Sequence, residues 1–137
     1  KYPSLVNPVS NVNGLVLSID LAATALDIAN IDIPNSIQGK SLLPLIQGET
    51  ESIRPVAFIE YYSHENPFPW TAQMDYRVVV SDRFKYIKWL RFDEAELYDL
   101  VNDRNELNNL IHQPAYLNVV EQMRREMAEL QLEALGL

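Results

Sequence analysis

Cysteine is missing from all 137 residues. Disulfides, thiolate metal ligands and a cysteine nucleophile are therefore excluded within the chain. Positive charge is also scarce: 11 Lys and Arg face 19 Asp and Glu, a net charge of −8. Non-specific binding to nucleic acid draws most of its affinity from a basic surface, so no nucleic-acid partner is expected. The same balance disfavours an anionic membrane surface. No apolar run approaches the ~18–20 residues of a membrane span. Only two histidines are present. His64 and His112 each lack a partner at helical ligand spacing, and a zinc site needs about three or four ligands in one place. We expect no metal ligand in this chain.

What is present reads as a folded protein. Hydrophobic residues make up 47% and charged residues 22%, ordinary proportions for a globular domain. Residues 1–14 are rich in Pro, Asn and Ser and read as loop. "LVLSI" at 15–19 is a short β-prone run. Asp20 stands where a helix N-cap belongs, ahead of a helix over about 20–30 with Leu21, Ala25, Ile28 and Ala29 on one face. A short helix is expected at about 41–47, opened by Ser41, with Pro44 tolerated in its first turn and Gly48 as a left-handed stop.

Residues 54–62 read as a buried strand. Residues 76–90 read as a hairpin around Ser81-Asp82-Arg83, and 96–100 as a further strand before an Asn/Asp-rich turn. The last element carries the plainest signal. Tyr116, Val120, Met123, Met127, Leu130 and Ala134 are spaced 4, 3, 4, 3, 4, one apolar stripe on a helix. Strand, hairpin, strand and terminal helix predict an α+β fold: a small antiparallel sheet of about four strands packed against the C-terminal helix.

Three segments, in order, resemble the C-terminal region of sulfatases. They are "VLSIDLAATALDIANIDIPNSIQGKSLLPLIQGE", "FKYIKW" and "ELYDLVNDRNELNNL". The departures are conformational: Ala23-Thr24 replaces the usual Pro-Thr, Ala29-Asn30 the usual Ala-Gly, and Asp103-Arg104 the usual Asp-Pro. Asn tolerates the left-handed backbone that Gly would supply. The resemblance implies a hydrolase of sulfate esters or sulfamates. It also implies two parts. Residues 1–52 would be the tail end of an α/β catalytic core and 53–137 the C-terminal subdomain. Starting at Lys1, the chain is expected to be a trimmed or processed piece.

In the family the nucleophile is a formylglycine made in a C/S-x-P/A-x-R motif, beside a divalent cation, usually calcium. No serine here has that context, so no catalytic or metal residue is carried over. The expected partners are the missing N-terminal core and a sulfated glycan substrate. Self-association of the chain is expected too, because Leu15, Leu17, Ile19, Leu26 and Ile28 would lose their cover.

Three residues stand out as substrate contacts: His64, Trp70 and Arg77. The first two lie in a proline-stiffened aromatic loop, and a rigid sheet often carries recognition groups on its loops. Trp70 has the ring to stack on a sugar, and Arg77 the fork to pair with a sulfate. Packing of the loop aromatics against the core is the competing reading. Arg77, Arg83, Lys85, Lys88 and Arg91 also concentrate positive charge. Either they attract a sulfated polymer or they form the solvated side of a hairpin. The alternative to a sulfatase fragment is a glycan-binding or oligomerisation module without catalysis.

Overall fold

A computed structural model describes residues 14–63 and 74–136. The chain divides into two compact units, Lys1–Pro55 and Val56–Leu137.

The first unit carries helix α1 (Asp20–Ile28) and the short helix α2 (Leu43–Gln47). Asp20 does not cap α1; it is the first helical residue. Its carboxylate is completely buried and faces three segments at once. Oδ2 accepts the Leu17 N–H at 2.7 Å, and Oδ1 accepts the Lys40 N–H at 2.9 Å. The Arg54 guanidinium grips both oxygens, at 2.6 and 2.5 Å. A bidentate, charge-assisted pair of this kind is among the strongest polar contacts available to side chains. Thr24 extends the joint by donating to the Asp20 carbonyl and accepting the Leu42 N–H. Gly39 fits because any side chain there would collide with the Ile19 carbonyl.

This joint explains why "LVLSI" is not a strand. Residues 15–17 are irregular and 18–19 form a turn, bent by the Leu17 N–H reaching the carboxylate. It also rotates α1. The buried side is Asp20, Ala23 and Thr24, not the expected Leu21–Ala25–Ile28 face, where Leu21 and Ile28 are exposed. The helix ends at Ile28, and Asn30 takes φ 55°, the left-handed conformation expected of it. Gly48 closes α2 at φ 76°. Ser41 Oγ accepts the Leu43 N–H at 3.2 Å, one position earlier than a formal cap.

The second unit is a four-stranded antiparallel sheet in sequential order: β1 (Val56–Tyr61), β2 (Tyr76–Ser81), β3 (Phe84–Trp89) and β4 (Ala95–Asp99). A turn of 3₁₀ helix at Pro114–Tyr116 leads into helix α3 (Leu117–Ala134). Phe58, Val79, Tyr86 and Leu97 are aligned across the four strands. Val79, Tyr86 and Leu97 form the core with Val120, Met123 and Met127 of α3, joined at its margin by Phe58, Tyr116 and Leu130. The predicted stripe therefore faces the sheet, except at its end, where Ala134 is exposed. β1 is an edge strand rather than a buried one, with Ile59 and Glu60 exposed.

Asn and Asp side chains order the segment after β4. Asp99 accepts the backbone N–H groups of Val101 and Asn102. Asn109 substitutes for a fifth strand: its Oδ1 accepts the Leu97 and Ile111 N–H groups, both at 3.0 Å. Leu110 N–H then donates to the Leu97 carbonyl at 2.8 Å. The β4 edge is thus closed, one of the ways proteins suppress unwanted strand pairing. Asn109→Ala leaves two N–H groups without their acceptor. We expect a loss of about 1–3 kcal/mol in urea denaturation, with faster amide exchange at Leu97 and Ile111.

Candidate functional site

Of the three residues singled out from sequence, His64 and Trp70 lie outside the described residues. Arg77 is on β2 beside its cross-strand neighbour Glu60 on β1. Arg77 Nε donates to Glu60 Oε1 at 2.7 Å, and its Nη2 to the Tyr62 hydroxyl at 3.1 Å. Tyr62 in turn donates to Glu60 Oε1 at 3.0 Å. Partial burial pushes the Arg77 pKa down, but the hydrogen bonds it donates to Tyr62 and Glu60, and their charges, outweigh it, and the net shift is upward. The guanidinium stays charged in any case.

The sheet end that holds Arg77 also fixes the residues flanking 64–73. Asp75 precedes β2. Its Oδ1 accepts both the backbone N–H of Ser63, at 2.7 Å, and the Ser63 hydroxyl, at 2.5 Å. Its Oδ2 accepts from Arg91 Nε at 2.8 Å. The Leu90 N–H reaches the Asp75 carbonyl at 2.9 Å. One carboxylate therefore ties the end of β1 to the start of β2 and to the chain leaving β3. The Ser63 hydrogen bonds, then that of Arg91, hold its pKa near about 2.

On the face opposite α3, Tyr76 stacks on Tyr61 with ring centroids 5.3 Å apart and meets Trp89 edge-on at 5.5 Å. Glu96 accepts from Trp89 Nε1 and from the Tyr98 hydroxyl. That bond to Glu96, with burial second, raises the Tyr98 pKa to about 12.

The concentration of basic residues is locally neutralised. Arg77 pairs with Glu60, Arg83 with Asp99, Lys85 with Glu106, Lys88 with Asp93 and Arg91 with Asp75. All five have a carboxylate within 3.1 Å. A patch built to attract a polyanion would leave such charges free. Chelation fares no better. Among the described residues, no three His, Asp or Glu come together as a metal site, and His112 is exposed. These residues do not fit a calcium ion or a formylglycine, and we derive no chemical step through either.

Sequence reasoning missed the roles of Asp20, Arg54 and Asp75. The sequence places Arg54 only at the start of a strand, and nothing local distinguishes a buried arginine from a solvated one. The Glu60–Arg77 pair was legible in principle, since opposite charges on adjacent antiparallel strands are natural cross-strand partners.

Comparison with known proteins supplies the family. The family model described as "N-sulphoglucosamine sulphohydrolase, C-terminal" matches residues 1–133. An N-acetylglucosamine-6-O-sulfatase of Bacteroides thetaiotaomicron is 30% identical over 135 residues, covering 96% of this chain and 24% of that protein. A Delta 4,5-hexuronate-2-O-sulfatase of the same species is 32% identical over 108 residues, covering 78% of this chain and 22% of its own length. A structure solved in complex with its substrate, D-glucosamine-2-N,6-O-disulfate, superimposes with TM-score 0.72 at 30% identity. It covers 82% of this chain, which spans 23% of that one. The chain thus spans about a quarter of the length of these relatives. The α+β fold agrees with theirs, and the chain belongs to the N-sulphoglucosamine sulphohydrolase C-terminal family of sulfatases.

Proposed function

We propose that this chain is the C-terminal portion of a hydrolase of sulfate esters or sulfamates on carbohydrates, and that its own work is to support a catalytic core carried by upstream sequence. The observation that carries the reading is the family match over residues 1–133, set beside relatives about four times as long. In this reading residues 1–52 complete the core and 53–137 form the end subdomain. The full protein would use a formylglycine and a divalent cation such as calcium, both supplied by the upstream part. The apolar side chains exposed on the first unit (Val16, Ile19, Leu21, Ile28, Ile31 and Ile33) support a missing neighbour, because a monomer seldom leaves so large an apolar patch in water.

Aryl sulfate hydrolysis with added calcium tests the proposal. The chain alone is expected to give no turnover above a no-protein control, while a full-length protein ending in this sequence turns over. Hydrolysis by the chain alone refutes it. We place His64, Trp70 and Arg77 at the substrate, with Arg77 sharing its fork between Glu60 and a sulfate. In the full-length protein, Arg77→Ala is then expected to raise KM about tenfold, the scale of one charged hydrogen bond, and to leave kcat nearly unchanged. An unchanged KM removes Arg77 from the site. Because the basic residues are paired internally, the chain should pass through heparin resin at ~150 mM salt. Self-association through the exposed α1 face is expected in the isolated chain, and Leu21→Glu should lower the mass seen by light scattering.

A further inference from the structure

The β1–β2 ladder ends where Tyr61 faces Tyr76. Tyr62 and Ser63 lie beyond it, and Asp75 stands one residue ahead of β2. No strand pairing holds Ser63, yet it is only 3% exposed. The Asp75 carboxylate takes the place of the next rung. Its Oδ1 accepts the Ser63 N–H and hydroxyl, and its Oδ2 accepts from Arg91, while the Asp75 carbonyl accepts the Leu90 N–H. Tyr62 is thus held from both sides: by the last strand pair before it and by the clamped Ser63 after it.

Side chains alternate along an extended chain. Continuing β1 past Tyr61 puts Tyr62 on the face of Glu60 and Arg77, diagonal to Arg77 across the ladder. The bonds follow from that placement. The Tyr62 hydroxyl accepts from Arg77 Nη2 and donates to Glu60 Oε1, which also accepts the Arg77 Nε–H. A guanidinium carries five N–H groups in one plane. Bonded to Glu60 alone, it could pivot about that bond; the Tyr62 hydroxyl fixes the plane. Among the described residues, no acceptor meets Nη1 or the second hydrogen of Nη2. Those N–H groups form the parallel pair that a sulfate or carboxylate accepts.

We propose that Asp75 is a positioning residue for substrate binding: its hold on Ser63 keeps Tyr62 in line with β1, and Tyr62 orients the free edge of the Arg77 fork. The proposal rests on the placement of Arg77 at the substrate. Asp75 acts through Ser63 and Tyr62, not on the substrate itself.

A double-mutant cycle in the full-length protein ending in this sequence tests it, with the aryl sulfate of the turnover assay. Asp75→Ala is expected to raise KM several-fold and to leave kcat nearly unchanged. In an Arg77→Ala background the same substitution should add nothing, because a residue that works through Arg77 has nothing left to orient. Asp75→Asn keeps an oxygen for Ser63 and should restore most of the loss. Ser63→Ala removes one of the two Ser63 bonds and should raise KM less, again only while Arg77 is present; it is the variant to read if Asp75→Ala fails to fold. Asp93→Ala is the control. Asp93 is fully exposed and pairs with Lys88 of the same sheet, and its loss should not move KM. In the 137-residue chain, exchange of the Arg77 Nε hydrogen should quicken several-fold in Asp75→Ala, while the Val79 amide stays protected.

A parental KM in Asp75→Ala overturns the positioning role, and so does an increase that persists without Arg77. An unmoved Arg77 Nε hydrogen overturns it as well, and that measurement needs no turnover. If Arg77→Ala itself leaves KM unchanged, Arg77 is not at the substrate and the proposal falls with that placement. A raised KM in Arg77→Ala beside a silent or additive Asp75→Ala sinks the role of Asp75 alone.

Discussion

Arg54→Met is expected to destabilise the first unit by about 3–5 kcal/mol, the usual cost of removing one partner from a buried ion pair. The side chains of Arg54 and Asp20 are 6% and 0% exposed. Without the guanidinium, the Asp20 carboxylate is left buried with only the Leu17 and Lys40 N–H groups to offset its charge. Arg54 also bonds the Leu15 carbonyl at 3.1 Å, so the segment ahead of α1 loses its tether too. Both tryptophans lie beyond residue 55 and do not report on this unit. Amide exchange in α1 is the measurement to make, with Trp89 fluorescence as the control that the second unit holds. The double variant Asp20→Asn with Arg54→Met should recover part of the loss, because no unpaired charge remains. A single variant within about 0.5 kcal/mol of the parent would refute the joint.

The same carboxylate sets a pH dependence. Burial pushes the Asp20 pKa up. The Arg54 hydrogen bonds, those from Lys40 and Leu17, and the Arg54 charge outweigh it and bring the value down to about 2, from an ordinary 3.8. A depressed folded pKa stabilises the fold above the unfolded value and loses that contribution as pH falls through the folded one. The first unit should therefore be insensitive to pH from neutrality to about 4, then weaken between about 4 and 2. Arg54→Met should move that loss to higher pH.

Leu97→Ala is expected to cost the second unit about 2–5 kcal/mol. Leu97 is completely buried and packs in one cluster with Tyr86, Val79 and Met123. The sheet and α3 meet through these side chains, and a cavity there has little freedom to collapse. The unit has about 80 residues, for which each kcal/mol moves Tm by roughly 4–8 °C. A drop of about 10 °C or more should follow in thermal unfolding monitored by Trp89. Leu107→Ala is the control. Leu107 is 77% exposed, and such surface changes stay within about 0.5 kcal/mol. If both leucines cost the same, the assigned core is wrong.

Local chemistry made much of the fold legible. The α3 stripe follows from the 3.6-residue helical period, and the β2–β3 hairpin from two β-prone arms around a short polar turn. The left-handed backbone at Asn30 follows from Asn tolerating positive φ. Failures cluster where a side chain answers to a distant partner. "LVLSI" has strand propensity, yet Asp20 bends it by taking the Leu17 N–H. Asp20 has the composition of a cap, but Lys40 and Arg54, 20 and 34 residues away, recruit it into a buried joint. The five basic residues of the sheet region read equally well as a patch or as a solvated face. Only the register, the β3–β4 turn and the segment after β4 bring each one its carboxylate.

The amino-acid order alone determined the terminal helix, the β2–β3 hairpin, the small antiparallel sheet with its covering helix, and the family, because these rest on periodicity, turn chemistry and motif order within short stretches. Tertiary structure alone decided which charges are buried, which cations are already partnered, and which sheet edge is closed. Those outcomes depend on hydrogen bonds between residues far apart in sequence, and a propensity carries no information about a partner it has yet to meet.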